Sequence, residues 1–241
     1  MKNVLVAIPC YNEEYNIKLV IEDLTTNFPE SDILIVNDAS TDNTLSVLRK
    51  LSVTYIDLPF NLGYAGALQT AFKYASEKKY PYLIQFDGDG QHLAIEAKKL
   101  YNIAIDNKLD IVIGSRFKEN LGYKHGFLKT IATIFFTKLI WWITKIKITD
   151  PTSGFQVLEY EVYQKYSKIY GFPEYPDAPL LIEMALAKRK IFEYPVKMNL
   201  RLHGTSMHAG FWKPIKYMLH MIYSIIIILL NSRKYKHYDR K

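Results

Sequence analysis

Five times before residue 117, a short apolar run stops at a polar cluster. Val4–Ile8 stops at Pro9-Cys10-Tyr11-Asn12-Glu13-Glu14, and Ile33–Asn37 opens into Asp38-Ala39-Ser40-Thr41-Asp42. Thr54–Leu58 leads into Pro59-Phe60-Asn61-Leu62-Gly63-Tyr64-Ala65-Gly66, Leu83–Phe86 ends in Asp87-Gly88-Asp89-Gly90-Gln91-His92, and Asp110–Ser115 ends at Arg116. The runs have buried-strand composition, and the segments between them carry helical spacing, as in Ile17, Val20, Ile21, Leu24 and in Ala67–Lys78. Strand and helix alternating over short links predict an α/β fold, a mostly parallel sheet flanked by helices. Ligands of such sheets bind beyond the carboxyl ends of the strands, where all five clusters fall.

The sharpest cluster is the fourth. Asp87 and Asp89 are one residue apart, and Gly88 and Gly90 let the loop bend so that both carboxylates converge. Two hard oxygen donors that close repel unless a cation lies between them, and Mg²⁺ or Mn²⁺ holding a phosphate is the common answer. Taken alone, the string is equally a polar turn, since Asp and Gly dominate turns. Its neighbours favour the metal: the loop from Asp38 to Asp42 suits a base or ribose, and Arg116 and Arg201 suit phosphate. The chain lacks both the Gly-x-Gly-x-x-Gly of dinucleotide folds and the Gly-Lys-Ser/Thr of phosphate-binding loops.

The second half has another character. Phe127–Ile148 is apolar but interspersed with Lys129, Lys138, Lys145 and Lys147, too charged to span a bilayer. With Trp141 and Trp142 it reads either as a helix lying in the headgroup plane or as one packed on the sheet with its lysines in water. Asp150–Gly154 is turn chemistry before a strand at Phe155–Leu158; Asp177 suits the N-cap of a helix through Leu186, and Ile191–Met198 reads as strand. Trp212–Leu230 contains 13 residues from Met218 that are apolar but for His220 and Ser224, short of the roughly 20 that a spanning helix needs. An interfacial or re-entrant helix, pinned by Trp212 and the basic stretch Arg233–Lys241, is expected there, with a tilted span or a hydrophobic partner-binding helix as the rival. The predicted division is a catalytic domain at 1–210 and a membrane-associated helix with its basic tail at 211–241.

The net charge of +7 is concentrated in that tail, which favours an anionic membrane surface over nucleic acid. A single Cys10 rules out an internal disulfide framework and suits a reducing compartment. Met1-Lys2-Asn3 runs straight into strand, so the expected location is the cytoplasmic face of the cell membrane.

Seven of these pieces occur in the order seen in family-two glycosyltransferases: Pro9–Glu13, Val36–Asp42, Asn61–Gly63, Asp87–His92, Gly114–Arg116, Asp150–Phe155 and Arg201–Ser206. The chain most resembles the branch of dolichyl-phosphate mannose synthases and bacterial polyprenyl-phosphate glycosyltransferases. That resemblance implies an inverting transferase of the nucleotide-diphospho-sugar (GT-A) type. By similarity Pro9, Tyr11, Asn12, Glu13, Asp38, Asn61 and Gly66 surround the nucleotide, Asp87 and Asp89 carry the metal with Gln91 beside them, and Arg116, Arg201 and Ser206 face the diphosphate or acceptor. The implied partners are a UDP- or GDP-sugar, a polyprenyl phosphate or lipid-linked glycan, the membrane surface, and a small membrane protein or a second copy of the chain.

Two departures bear on the acceptor. Gln156 follows Ser-Gly-Phe where that branch often has Arg, and Met207-His208 stand where it usually has Lys, so His208 is either a diphosphate contact or a surface histidine. Asp177 lies where many relatives that glycosylate hydroxyls place their base, which makes it the residue separating a phosphate acceptor from a hydroxyl one.

Overall fold

The computed structural model describes residues 2–119, 127–200 and 212–235. Arg201, Ser206 and His208, and the basic tail beyond residue 235, lie outside the described residues.

The apolar runs become β1 (Val4–Cys10), β2 (Asp32–Asn37), β3 (Thr54–Asp57), β4 (Tyr82–Gln85) and β5 (Ile111–Ser115), followed by β6 (Gln156–Glu159) and β7 (Ile191–Pro195). They lie side by side in the order β3-β2-β1-β4-β6-β5-β7. Only β6 runs antiparallel to its neighbours, so the sheet is mostly parallel, as predicted. Eight helices accompany it among the described residues: α1 (Ile17–Asn27), α2 (Thr44–Leu48), α3 (Gly63–Lys78), α4 (Ala94–Asp106), α5 (Phe127–Thr144), α6 (Tyr160–Ser167), α7 (Asp177–Leu186) and α8 (Trp212–Tyr235).

Strand alternation sorts the core into two layers. Val4, Val6, Ile8, Ile84 and Phe86 pack with α1, α2 and α4 on one face. Leu5, Ala7, Leu34, Val36 and Leu83 pack with α3, α5, α6, α7 and α8 on the other. The helical spacing of Ile17, Val20, Ile21 and Leu24 predicted the buried stripe of α1, and all four are buried.

Four local expectations need correction. Pro9 does not stop β1 but pairs within it, opposite Val36. Ala7 accepts the N–H of Phe86 on the β4 side, so Pro9, two residues on, turns its missing N–H to the side where β4 has already ended at Gln85. Helix α3 begins at Gly63 instead of Ala67, because Asp38 Oδ1 takes the N–H of Leu62 (2.7 Å) and Asn61 Oδ1 that of Gly63 (3.1 Å). β7 ends at Pro195 instead of Met198, since β5, its ladder partner among the described residues, ends at Ser115.

Asp177 is the fourth. Pro176 already has helical dihedrals and its carbonyl accepts the N–H of Leu180, so Asp177 is the first helical residue and its carboxylate caps nothing.

Of the two readings of residues 127–148, the structure bears out the packing of the helix on the sheet. Phe136 and Ile140 of α5 are buried in the core, while Trp141 and Trp142 are exposed by 51% and 68%. In α8, Met221, Ile225 and Ile228 face the core. Leu219, Tyr223, Ile226 and Leu230 recur at the same helical spacing but two residues out of phase, so they form an outward stripe. Among the described residues no helix is long and apolar enough to cross a membrane.

Candidate active site

The loop after β4 is held by its own histidine. His92 is buried, stacked on Phe155 at 4.2 Å between ring centroids and edge-on to Phe86. Its Nδ1 accepts the Asp87 N–H at 3.0 Å, which leaves Nε2 to carry the ring proton 3.5 Å from Asp87 Oδ2. Burial pushes the imidazole down to about 4, so the ring stays neutral and supplies shape more than charge. Asp89, almost wholly buried, accepts the Gln91 N–H at 3.0 Å, and the Gln91 carbonyl accepts from Asn199 in the segment after β7. The motif Asp-Gly-Asp-Gly-Gln-His is thus a tied loop carrying two carboxylates at the sheet's edge.

On the β1–β2 side, three loops are laced together. Asn12, at φ +57°, accepts the N–H of Thr41 (2.8 Å), while its own N–H goes to Ser40 Oγ (2.9 Å). Glu13 donates its N–H to Thr44 Oγ1, and its carboxylate accepts from Asn16. Asp38 is buried; burial pushes its carboxyl up, opposed by the N–H groups of Leu62 and Gly63. Asn61 Nδ2 donates to the Asp38 carbonyl. Gly66 sits inside α3, where a methyl group would lie 2.4 Å from Leu62 Cβ, so glycine there lets Leu62 fold back towards Asp38. Pro9, Tyr11, Asn12, Glu13, Asp38, Asn61 and Gly66 therefore belong to one connected rim, with Tyr11 exposed by 46%.

The opposite wall rests on a buried ion pair. Arg116 binds Asp150 through Nε (2.7 Å) and Nη2 (2.8 Å), and its backbone N–H also reaches Asp150 Oδ2. Asp150, wholly buried, is held in turn by Glu193, whose carboxylate accepts the N–H groups of Asp150 (2.7 Å) and Thr149 (2.9 Å). Much of Arg116 is thus committed within the protein. Asp150→Ala leaves a largely buried guanidinium without its counter-ion, and a loss of roughly 3–5 kcal/mol in urea unfolding is expected; an unchanged midpoint would show that Arg116 finds another partner.

Between the two walls lie Tyr64, Asp177 and Tyr217. A methyl group on Gly154 would stand 2.9 Å from the Tyr64 hydroxyl oxygen and 4.0 Å from Asp177 Oδ1. Burial pushes the Tyr64 phenol far up, reinforced by the charges of Asp87, Asp177 and Asp89, so the Asp pair and Asp177 all lie within electrostatic reach of one phenol. Asp177 is pushed up to about 7 by burial and by Asp87, against the pull of Arg116. Its Oδ1 is shielded and has no hydrogen-bond partner among the described residues, a condition shared by the Gln85 side-chain carbonyl. Tyr217 brings α8 to the same place, for its phenol is raised by burial and by Asp177.

The donor set fits a divalent cation. Asp87 and Asp89 offer hard oxygens, and among the described residues no group of three or more His, Cys, Asp or Glu side chains could enclose a metal. Asp87 and Asp89 would hold such a cation by two oxygens and leave its remaining ligands to water or a bound anion, the usual habit of Mg²⁺. Reasoning from the chain alone missed Tyr64, Gln85, Tyr217, Asp150 and Glu193 as members of the site. Tyrosines on helices read as core, and the Arg116–Asp150 pair spans 34 positions of sequence.

The sequence model of Glycosyl transferase family 2 matches residues 5–167. The chain belongs to glycosyl transferase family 2. It is 28% identical over 233 residues to the UDP-N-acetylglucosamine–dolichyl-phosphate N-acetylglucosaminyltransferase of Methanococcus voltae, covering 87% of this chain and 92% of that protein. To the undecaprenyl-phosphate mannosyltransferase of Micrococcus luteus it is 27% identical over 226 residues, 86% of this chain and 88% of the other. In structure it resembles a mannosyltransferase from Pyrobaculum calidifontis in complex with GDP-Man and Mn²⁺, with a TM-score of 0.67 and 17% identity, covering 98% of this family-2 chain and 70% of the other. The GT-A fold expected from the motifs is the fold observed.

Proposed function

We propose that this family-2 protein is an inverting transferase that moves a hexosyl or N-acetylhexosaminyl unit from a UDP- or GDP-sugar to a polyprenyl phosphate at the cytoplasmic membrane face. The observation carrying it is the placement of Asp177 beside Gly154 and the buried Tyr64 phenol, within electrostatic reach of Asp87 and Asp89, with Arg116 acting on Asp177. Polyprenyl- and dolichyl-phosphate acceptors are named for the relatives from Micrococcus luteus and Methanococcus voltae, which this chain matches over most of its length. The outward stripe of α8 and the exposed Trp141 and Trp142 support a membrane surface as the place of work.

In this reading the rim from Pro9 to Asp38 holds the nucleoside, and Asp87 and Asp89 hold Mg²⁺ or Mn²⁺. The cation, when bound, neutralises the charge that develops on the departing diphosphate. His92 and Gln91 keep the two carboxylates in register, while Arg116 adds fixed positive potential at the opposite wall. A polyprenyl phosphate is already an oxyanion and attacks without a base. Asp177, protonated below about pH 7, can then donate a hydrogen bond to that phosphate without repelling it.

One observation favours a second acceptor class. A shielded carboxylate raised to about 7 is poised as a general base, which a sugar hydroxyl acceptor would need. The experiment incubates the protein with radiolabelled UDP- and GDP-sugars, Mn²⁺ and undecaprenyl phosphate. Organic-phase label is expected with one of the donors; water-soluble sugar alone, from every donor, would overturn the reading.

A further inference from the structure

We propose that Gln85 reads a hydroxyl group of the sugar being transferred, so that it is a specificity-determining residue of the donor site; this rests on the nucleotide-sugar reading above. Gln85 is 3% exposed, and its side-chain carbonyl has no hydrogen-bond donor among the described residues. Buried acceptors left unmatched are uncommon, and each calls for a reason. A leucine would fill this place in the core without leaving an acceptor unmet.

Its position supplies the reason. Gln85 is the last residue of β4 and shares the alternation of Leu83, so it faces the layer of α3, α7 and α8. Two residues later the chain delivers Asp87. Across the sheet its partner is Gln156, two residues after Gly154, whose backbone stands beside the Tyr64 hydroxyl and Asp177 Oδ1. Gln85 therefore lies on the sheet face above which Gly154 meets Tyr64 and Asp177, next to the segment that carries Asp87. In an inverting displacement the anomeric carbon must lie between the leaving phosphate and the incoming nucleophile, which puts the transferred ring over that face. The unmet acceptor on the floor, Gln85, and the one on the wall, Asp177, both ask for O–H donors, and a sugar ring carries several.

The test titrates the wild-type, Gln85→Leu and Gln85→Met proteins with UDP, GDP, UDP-N-acetylglucosamine, UDP-glucose and GDP-mannose in Mn²⁺, and measures kcat/KM for the donor turned over. Both variants should bind the sugar-free nucleotide within about twofold of wild type and lose about tenfold or more in affinity and kcat/KM for its sugar-linked form. A deoxy-sugar donor lacking the hydroxyl that Gln85 meets should be discriminated by wild type and not by the variants. If the variants treat sugar-linked and sugar-free nucleotides as wild type does, the role of Gln85 is overturned while the nucleotide-sugar reading stands. If wild type binds none of the five, that reading falls and this inference with it. The methionine variant, close in length to glutamine, guards against a packing fault in the leucine one.

Discussion

Asp89→Asn turns over its nucleotide sugar roughly a hundredfold to a thousandfold more slowly than wild type at saturating Mn²⁺, the scale of losing a preorganised charge where the transition state needs one. The choice of asparagine is deliberate. Asp89 Oδ1 accepts the Gln91 N–H, and an amide oxygen keeps that bond, so the loop stays tied while the carboxylate is lost. Asp89→Ala removes both and should be at least as slow, with some weakening of the loop's link to Asn199. Urea unfolding of the asparagine variant should match wild type, which separates a catalytic loss from a folding one. Undiminished turnover in Asp89→Asn would mean that the carboxylate pair does no chemistry.

The second large effect belongs to Asp177, in stability as well as rate. Its carboxyl is raised from 3.8 to about 7 by burial and by Asp87. Between pH 4 and 7 the folded protein therefore keeps a proton that the unfolded chain has released. Stability falls as pH rises through that window and stays low above it, by up to about 4 kcal/mol for a shift of this size. Asp177→Asn removes the ionisable group, so in EDTA it should be markedly more stable than wild type at pH 8 and nearly equal to it near pH 4, read by thermal unfolding. On activity the same variant separates the acceptors. A phosphate acceptor, already charged, should leave partial transfer, whereas a hydroxyl acceptor should lose nearly all of it for want of a base. A pH-independent stability difference would refute the perturbed carboxyl.

The first half of the fold was legible because its signals are local. Short apolar runs make buried strands, and the polar residues that end them must lie at the sheet's rim, which is how Asp38, Asp87 and Arg116 came to be read as one site. What was not legible depends on pairing across distance. Nothing in Gln156-Val157-Leu158-Glu159 says that this strand runs antiparallel between β4 and β5. Pro9 looks like a strand breaker until the register shows β4 already gone on its open side. Asp177 looks like a helix cap, and only the helical dihedrals of Pro176 move it inside the helix and into the site. Gln85 is the plainest case, for a glutamine ending an apolar run carries no mark of burial until the layers on either side are known.

The central claim is that Asp87 and Asp89 bind a divalent cation which binds the donor's diphosphate. Thermal unfolding of the wild-type protein with UDP- or GDP-sugar, in Mn²⁺ and again in EDTA, tests it most directly. The account predicts stabilisation by one class of nucleotide sugar in Mn²⁺, about 2.7 kcal/mol at a hundredfold excess over its dissociation constant, and its loss in EDTA. Equal stabilisation in both, or none in either, would contradict it.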